Sequence, residues 1–597
     1  MLLKTRRYTL ADGVWLPIKA GPVSAALMIL RRIISAAIPT LTAVTTASFV
    51  DAAIGVLDGR LGMDAVVWPL VGVALVMAYN IIAYKITAFA QTKLTNRLRH
   101  YLRPELLSKR AKLEYRCIED REKWDLIERV TAPKDDKTPE DRIMKSFTNI
   151  LLLASLIAGF FGVIALTISK AWWAGALILA SFGGLILISL KGGKLSYGAQ
   201  AAVSKEKRRY QYLHDVMTKR ETVSERTLFG YSEKLSGEYY KEYEKARRME
   251  FKTSLKWFLR MNAGGAAAGL ITAVCVLILL FPTINGQMSV GMFIGLVTAL
   301  MSMVGSTTWQ LTNCADGIAK DVKYMSDFTE FMALPEQEGG EARPAKEAPD
   351  FERLQFRNVT FRYPNTEAKI LDNLSFTIER GKHYSFVGVN GAGKTTVTKL
   401  LLGLYRNYEG SIQINGKELR DISAPELKSL FACVFQDFAR YQLTLRENIA
   451  LGNAHGATEE EIGRAMDKAG VRPLVERVGP DAFLGKTDEQ GIDISGGEWQ
   501  RIAMARAIAN PAQIKILDEP TAALDPIAER DIYENFRSIS QGHTVIFISH
   551  RLGSTRLADI IYVLNAGSVA ESGSHEELMD GGGLYAQMFE SQRSWYI

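Results

Sequence analysis

The stretch that decides the fold of this chain is Gly388-Val389-Asn390-Gly391-Ala392-Gly393-Lys394-Thr395. It follows an apolar run, residues 384–387, and precedes a helix-like run that begins at Thr396. This spacing matches the phosphate-binding loop between a strand and a helix. Glycines let successive N–H groups point at phosphate oxygens, and the helix offers its positive N-terminal end to the same anion. The alternative is a Gly-rich turn without a ligand, and the strand–loop–helix context argues against it.

Two side chains of this loop are suited to phosphate chemistry. Lys394 supplies a mobile positive charge for the outer phosphates of a nucleotide, and the Thr395 hydroxyl can ligate Mg²⁺. The loop therefore predicts a site for a nucleoside triphosphate and its metal ion, with Thr396 at the start of the helix.

The average composition of the chain does not show that its two halves differ. The sequence has 597 residues, a mean hydropathy of +0.00 and a formal net charge of +7. Long apolar stretches lie before about residue 315, and the later part has the composition of a soluble α/β domain. The modest charge, together with basic residues that lie between apolar runs, favours membrane topology over nucleic-acid binding. The four scattered cysteines predict free thiols.

The first half, residues 1–330, predicts an all-α membrane domain. Apolar stretches of spanning length recur six times. The predicted spans are residues 22–56, 65–90, 146–168, 171–190, 262–284 and 289–314.

The segments between the spans differ in length and charge. Residues 91–145 and 191–260 are long, helix-favouring and rich in Lys and Arg, whereas the other connections are short. The positive-inside rule predicts that the long segments are cytoplasmic extensions of the helices, and most of their charges are interpreted as solvated helix surface. Residues 120–128 and 228–235 mix aromatic and charged side chains where the chain reverses. We expect these two tips to contact the soluble domain.

Polar residues within the spans have two interpretations. Lipid cannot solvate Asp51, Asn80 or Lys85, so they are candidates for a transport pathway. The same holds for the hydroxyls of residues 42–48 and for Thr307, Thr308, Gln310, Thr312 and Asn313 near the sixth span. The alternative is hydrogen bonding within and between helices, or snorkelling of long side chains.

The second half predicts a nucleotide-binding α/β domain. A polar linker, residues 331–350, is followed over residues 351–597 by alternating strand and helix patterns. The apolar strand 514–517 ends in Asp518, suited to hold Mg²⁺, and Glu519, suited to orient or deprotonate water. Lys515 departs from the apolar pattern and suggests that one face of this strand is less buried. The alternative for the two acids is helix capping.

Further polar residues lie where strands end or helices begin. A second anion-binding nest is predicted at a helix start and consists of Ser495, Gly496 and Gly497, with Glu498. Two nests in one chain suggest that one of them serves a different copy of the chain. Gln436 suits a role in holding Mg²⁺ or water. The ring of Tyr363 could stack on a base. His550 follows a strand within reach of a γ-phosphate, although a lone histidine there is more often structural.

In this order and spacing, the motifs resemble those of the ATP-binding cassette (ABC) transporters, exporter-type half-transporters with six membrane helices and one cassette. The resemblance covers nearly the whole chain. Gln436 is similar to the Q-loop, residues 494–498 to the signature, residues 514–519 to Walker B and residues 523–525 to the D-loop. His550 and Tyr363 are similar to the switch histidine and the base-stacking residue. The signature departs mildly from the family pattern at Ile494 and Glu498.

The resemblance implies a fold, a reaction and partners. It implies a multidomain membrane protein with a six-helix transmembrane domain and an α/β P-loop NTPase cassette. Two cassettes would form a head-to-tail sandwich, with ATP and Mg²⁺ held between Lys394 of one copy and residues 495–497 of the other. Glu519 would act as general base and His550 would contact the γ-phosphate.

The predicted function is ATP-driven export of an amphipathic solute, a peptide, drug or lipid, by alternating access of a homodimer. The run 435–444 is similar to that of bacterial exporters of ribosomally made peptides. We expect a multi-pass protein of the cytoplasmic membrane, with the cassette and both termini inside and no nucleic-acid partner. The alternatives are a flippase for a lipid-linked substrate, one half of a heterodimer, and an ATP-gated channel or regulator.

Overall fold

The computed structural model of the chain forms two compact units. It describes residues 3–131, 138–170, 172–173, 175–176, 179, 207, 209–219, 222–486, 490–519, 543–548 and 552–593. Unit 1 comprises Met1–Leu107 and Asp125–Leu334, and unit 2 comprises Ser108–Trp124 and Pro335–Ile597. The four cysteines are free thiols, as the sequence predicts.

Unit 1 and the segment that interrupts it are helical. The helices are α1 (Leu10–Ala20), α2 (Pro22–Leu57), α3 (Asp64–Lys112), α4 (Tyr115–Glu119), α5 (Arg121–Thr131), α6 (Pro139–Lys170), α7 (Val223–Phe229), α8 (Ser232–Ile284) and α9 (Val290–Ala333). The last residues of α3, together with α4 and the start of α5, belong to unit 2. The first residues of the predicted linker form the last turn of α9.

Three of these helices, α2, α3 and α6, are long and apolar enough to cross a membrane. They contain the first three predicted spans. Shorter apolar stretches, Thr272–Ile284 and Val290–Ser302, lie within the fifth and sixth predicted spans. Most of the fourth span lies outside the described residues, so the count of six stays a prediction. Trp68 of α3 is 80% exposed, which indicates a face for lipid or another protein surface.

Small residues let α2 and α9 approach closely. A side chain added at Gly291 would lie 2.3 Å from the Ala47 carbonyl oxygen, and one at Gly295 would lie 2.2 Å from that of Ala43. This spacing of small residues is typical of membrane helix pairs.

Three of the polar side chains of α2 that are candidates for a pathway make hydrogen bonds to helices. Asp51 accepts hydrogen bonds from the Ser289 hydroxyl at 2.6 Å and from the Gly291 backbone N–H at 2.8 Å. Its carboxylate therefore caps the start of α9. The hydroxyls of Thr42 and Thr45 donate to carbonyls four residues earlier in α2. Hydrogen bonding within and between helices thus accounts for these three residues.

Unit 2 contains two sheets. The strands are β1 (Arg353–Phe361), β2 (Leu371–Glu379), β3 (His383–Gly388), β4 (Glu409–Ile414), β5 (Lys417–Glu418), β6 (Phe431–Val434), β7 (Ile514–Asp518), β8 (Thr544–Ile548), β9 (Ile560–Asn565) and β10 (Ser568–Gly573). A four-stranded antiparallel sheet has the order β2-β1-β4-β5. A six-stranded sheet has the order β10-β9-β3-β8-β7-β6, parallel except for β10.

The helices of unit 2 alternate with these strands. They are α10 (Lys394–Leu401), α11 (Ala424–Leu430), α12 (Leu445–Ala450), α13 (Glu459–Lys468), α14 (Arg472–Val478), α15 (Gly496–Ala509), α16 (His575–Asp580) and α17 (Leu584–Arg593). Apolar side chains from the strands and from α10 and α15 form two buried clusters on the six-stranded sheet. Strands covered on both faces need continuous apolar runs, which explains the patterns of β3, β7 and β8.

The suggestion that Lys515 marks a less buried strand face is wrong. Lys515 is 5% exposed. Its amine donates to the Ala507 carbonyl at 2.8 Å and to that of Asn510, where α15 ends. Burial lowers the pKa of this amine to about 7. The side chain is tolerated because unpaired carbonyls at a helix end need donors.

Candidate nucleotide site

The loop after β3 has a backbone that only glycines accommodate. Gly388, Gly391 and Gly393 have φ values of 153°, 81° and 101°, which other residues rarely adopt. A side chain at Gly388 would lie 2.3 Å from the Leu564 carbonyl oxygen, and one at Gly393 would lie 2.6 Å from Leu371. The sequence thus forces a tight turn that ends at the N-terminus of α10. Such a turn presents backbone N–H groups to an anion.

Lys394, the first residue of α10, lies folded against this loop. Its side chain is 5% exposed, and its amine donates to the carbonyls of Gly388 at 2.8 Å and Val389 at 3.1 Å. Burial lowers the pKa of the amine, while Glu519 and Asp518 act in the opposite direction. A cation held by two weak acceptors can exchange them for phosphate oxygens, which pair with it more strongly.

The other loop residues face outward or pack beneath it. Val389, Asn390, Gly391 and Thr395 are exposed, and Ala392 is buried. Thr395 follows Lys394 in the first turn of α10. Its hydroxyl is therefore accessible at the helix start.

Parallel strands bring the predicted acids to the edge of the sheet where this loop lies. Strand β8 pairs with β3 on one side and with β7 on the other, all parallel. The ends of β3 and β7 therefore lie at one edge, where open α/β sheets bind ligands. Gln436 follows β6, the partner of β7, and is exposed at the same edge.

Asp518 ends β7 with an unsatisfied carboxylate. It is 2% exposed, and its Oδ1 atom has no hydrogen-bond partner among the described residues. Burial, with a smaller contribution from Glu519, raises the pKa of this carboxyl to about 6. An orphaned buried oxygen beside a phosphate loop fits a role as an acceptor for a cation or its bound water.

Glu519 adopts a backbone conformation that the sequence did not predict. Its φ of 48° is left-handed, and its N–H donates to the Ile548 carbonyl of β8 at 2.9 Å. A non-glycine residue in this region is strained, and such strain concentrates at functional sites. The hydrogen bond to β8 fixes the direction in which the Glu519 side chain leaves the strand.

Tyr363 is anchored on one side and half-buried. Its hydroxyl lies 3.0 Å from that of Thr396, and its ring meets Tyr405 edge-on at 5.5 Å. The Lys399 amine lies 5.2 Å from the ring centroid. These contacts fix the plane of a ring that the sequence predicts to stack on a base.

The second nest is formed at the start of α15. Ser495 caps the helix and accepts from the Glu498 N–H at 3.3 Å, and the Glu498 carboxylate accepts from the Ser495 N–H at 2.8 Å. Partial burial acts to raise the pKa of Glu498, but these hydrogen bonds and Arg477 hold it below its usual value. Gly496 and Gly497 form the first turn. No hydrogen bond in the described part of the chain joins Ser495, Gly496 or Gly497 to the loop 388–395.

Two predicted elements lie outside the described residues. These are His550 and the segment 523–525. Their predicted roles stay predictions.

Sequence reasoning missed the contacts made by α4. Glu119 accepts from the Lys399 amine and the Tyr405 hydroxyl, and Tyr115 meets Tyr405 edge-on at 5.7 Å. All of these residues belong to unit 2. The predicted tip, residues 120–128, lies just after this helix. The signal in the sequence was an aromatic residue and an acid four positions apart, which share one helix face.

Comparisons with known proteins extend over most of the chain. Residues 371–522 match the family described as ABC transporter. The subtilin transport ATP-binding protein SpaT of Bacillus subtilis is 30% identical over 512 residues, 85% of this chain and 82% of that protein. The nisin transport ATP-binding protein NisT of Lactococcus lactis subsp. lactis is 38% identical over 241 residues, 40% of each chain.

Two further comparisons concern a lipid flippase and the fold. The ATP-dependent lipid A-core flippase of Pseudomonas aeruginosa is 32% identical over 375 residues, 61% of each chain. The structure of a bacterial Atm1-family ABC exporter with ATP bound matches with a TM-score of 0.75 at 22% identity. That match covers 95% of this chain and 98% of the exporter chain. It confirms the fold class predicted above, a helical membrane domain joined to an α/β cassette.

Proposed function

Because this chain belongs to the ABC transporter family, we propose that it hydrolyses ATP to export an amphipathic solute across the cytoplasmic membrane. The observation that carries the proposal is the similarity to the subtilin transporter, which runs through 85% of the chain and so includes both halves. A cassette without a membrane domain would not match over this length.

The chemistry of hydrolysis follows from the edge of the six-stranded sheet. Lys394 and the loop N–H groups are suited to hold the β- and γ-phosphates of ATP, and the ring of Tyr363 is suited to stack on adenine. Glu519 would orient and deprotonate the attacking water, and His550 would contact the γ-phosphate. These roles extend the resemblance to named residues and are proposals.

Mg²⁺ fits the same edge. Thr395 offers an exposed hydroxyl, Asp518 an unpaired carboxylate oxygen and Gln436 an exposed amide. The described residues contain no cluster of three or more His, Cys, Asp or Glu that would hold a metal alone. This agrees with Mg²⁺ chemistry, in which one or two protein oxygens act together with substrate phosphates. Bound there, Mg²⁺ would neutralise phosphate charge.

We propose that the active form is a homodimer. Each chain has one phosphate loop and one separate nest at residues 495–497, so a second copy is needed to place both nests around one ATP. Closure on ATP would favour one state of the membrane domain, and hydrolysis would release it. The abundance of Lys and Arg in residues 91–145 and 191–260 supports a cytoplasmic cassette and cytoplasmic termini.

The relatives favour a peptide as the exported solute. Two of them are named for the transport of subtilin and nisin, and the match to the subtilin transporter covers more of this chain than the flippase match does. The flippase relative keeps a lipid-linked substrate as the second candidate. Uptake of a labelled peptide or of a labelled lipid by the same vesicles separates the two.

The test uses the full chain reconstituted in vesicles with outward-facing cassettes. We expect ATP-dependent uptake of peptide by the unaltered protein. Glu519→Gln should lower ATP hydrolysis at least about 100-fold, because a general base contributes that much, and should still permit ATP-dependent dimerisation. Glu379→Gln, at an exposed position of the cassette, is the control. Unimpaired hydrolysis in Glu519→Gln would refute the assigned base, and a silent homodimer would favour an obligate second protein.

A further inference from the structure

Two adjacent cations interrupt the apolar sequence of α2. Arg31 and Arg32 lie in the first predicted span, and their side chains are half-buried. The Nε atom of Arg31 is buried and has no hydrogen-bond partner among the described residues. Neither guanidinium takes part in an ion pair in the described part of the chain. The protein thus holds two charged groups in a membrane helix without an acceptor for either.

The other charged residues of the predicted spans are accounted for. Asp51 and Lys85 are the only ones besides the two arginines in the six ranges of sequence. Asp51 accepts hydrogen bonds from Ser289 and Gly291 at the start of α9. Lys85 of α3 is exposed, so its amine is free to extend along the helix surface toward water. The arginine pair is therefore the feature of the spans that helix packing leaves unexplained.

Arg32 lies on the face of α2 that packs against other helices. Ala25, Met28 and Ala43 are buried, and at 100° per residue each lies within about 40° of Arg32 around the helix. Ala25 and Met28 pack with side chains of α3 and α6, and Ala43 packs with side chains of α6, α8 and α9. Among the described residues, the groups that act electrostatically on Arg32 are Arg31 and the Cys314 thiol of α9, and neither is a carboxylate.

Such an arrangement needs an anion to be stable. A guanidinium has five N–H donors and stays charged at neutral pH. Arginines removed from water are normally paired, because an unpaired charge is costly in a protein interior or in lipid. Water does not replace the missing acceptor at the Arg31 Nε atom, because that atom is buried. Two like charges on neighbouring residues repel each other, and an anion bound by both offsets that repulsion.

The length of α2 indicates the depth of the pair in the membrane. The helix has 36 residues, about 54 Å, whereas a hydrocarbon core is about 30 Å thick. Residues 33–57 alone extend over about 37 Å, which is enough to cross it. Arg31 and Arg32 then lie where the predicted cytoplasmic surface meets the core. An anionic lipid headgroup reaches this depth too, but the position of Arg32 among packed helices favours a ligand that enters between them.

We propose that Arg31 and Arg32 together bind an anionic group, a carboxylate or a phosphate, of the transported solute at the cytoplasmic side of the membrane domain. The inference rests on the proposed export function and specifies the substrate class, an amphipathic solute with at least one acidic group. The planar fork of a guanidinium matches the paired oxygens of either group.

The test measures binding by the full chain in nanodiscs of zwitterionic lipid without ATP. One pair of fluorescent amphipathic peptides differs only by glutamate or glutamine at one position, and a second pair has phosphoserine or serine there. The unaltered protein should bind the acidic member of at least one pair about tenfold or more tightly than its neutral partner, because a hydrogen bond to a charged group contributes that much. Arg31→Gln with Arg32→Gln should bring this ratio to about one, whereas lysine at both positions should keep part of it.

Lys85→Gln is the matched control, because it removes an exposed cation from another span. It should leave the affinity ratio within about twofold. Basal ATP hydrolysis within about twofold of the unaltered protein shows that the variants fold. Because binding is measured without ATP, a failure of ATP-driven uptake in the vesicle assay is distinguishable from a failure here.

Four results would overturn the proposal. The first is a ratio near one for both peptide pairs in the unaltered protein, absence of binding included. The second is an unchanged ratio in Arg31→Gln with Arg32→Gln. The third is a clear fall in the unfolding temperature of that variant, which would assign the arginines to a structural ion pair with a second copy. The fourth is loss of stimulation by anionic lipid with the peptide ratio unchanged, which would assign the pair to a lipid headgroup.

Discussion

Asp518 ends a strand that is buried along its whole length, with one carboxylate oxygen lacking a hydrogen-bond partner among the described residues. Burial raises the pKa of its carboxyl from 3.8 to about 6. A carboxyl that binds its proton more tightly in the folded chain makes the protein less stable as pH rises from about 4 to about 6, and the loss persists above that range. Two pKa units correspond to about 3 kcal/mol.

Asp518→Asn should therefore stabilise the nucleotide-free protein while it abolishes Mg²⁺-dependent hydrolysis. We expect the cassette unfolding temperature to rise by roughly 5 °C at pH 8 and by only about a third as much at pH 4.5, because most of the penalty accumulates between pH 4.5 and about 6. Differential scanning calorimetry of the full chain in detergent measures both values. Asp467→Asn, at an exposed position of α13, is the control. An equal gain at both pH values would show that ionisation of Asp518 is not the cause.

The elements around the phosphate loop were predictable because each is specified by nearby residues. The apolar runs of β3 and β7 and the glycines at 388, 391 and 393 determine strand, turn and helix start locally. The acid pair at the end of β7 could be placed at the same edge because neighbouring parallel strands end on the same side of the sheet.

Features that depend on distant parts of the chain were not predictable. Lys515 is buried because two carbonyls at the end of α15 accept hydrogen bonds from its amine. The sequence around Lys515 does not indicate that the end of this helix lies beside it. The left-handed φ of Glu519 depends on its hydrogen bond to β8. The contacts of Glu119 join positions about 280 residues apart, a separation that periodicity cannot reveal.

Helix α15 begins with a carboxylate where the proposed function needs a phosphate to bind. Glu498 completes the cap with Ser495, and Arg477 offsets its charge. Glutamine can make the same reciprocal cap without the charge. Glu498→Gln should therefore lower the KM for ATP by about two- to threefold, because it removes repulsion of the phosphates.

Arg477→Gln makes the opposite change in charge at the start of α15, because it removes a positive charge. It leaves the Glu498 carboxylate without its ion pair, so we expect the KM for ATP to rise by about two- to threefold. Steady-state hydrolysis by the full chain measures both variants. A shift of KM in the same direction for the two would argue against charge as the cause.

Across the whole molecule, the segment 108–124 is the part of the helical region that belongs to the cassette unit. Glu119 binds Lys399 of α10, the helix that starts at the phosphate loop, and Tyr405. Glu119→Ala should leave basal ATP hydrolysis within about twofold but remove most of its stimulation by peptide, because the contact joins the segment to the nucleotide site. Glu122→Ala is the control at an exposed position of α5. Full stimulation in Glu119→Ala would exclude this contact from coupling.

The homodimer proposal predicts that two differently altered copies of the chain together form one intact nucleotide site. Lys394→Met removes the phosphate-loop cation from one copy, and Ser495→Arg blocks the nest of the other. If each ATP lies between the loop of one copy and the nest of its partner, both lesions fall in one site of the mixed dimer and the second site is intact. Tagged copies purified as mixed dimers should trap about one nucleotide per dimer with vanadate, whereas either homodimer should trap almost none. Self-contained sites would leave the mixed dimer as inactive as the two homodimers, because each copy would then carry its own lesion.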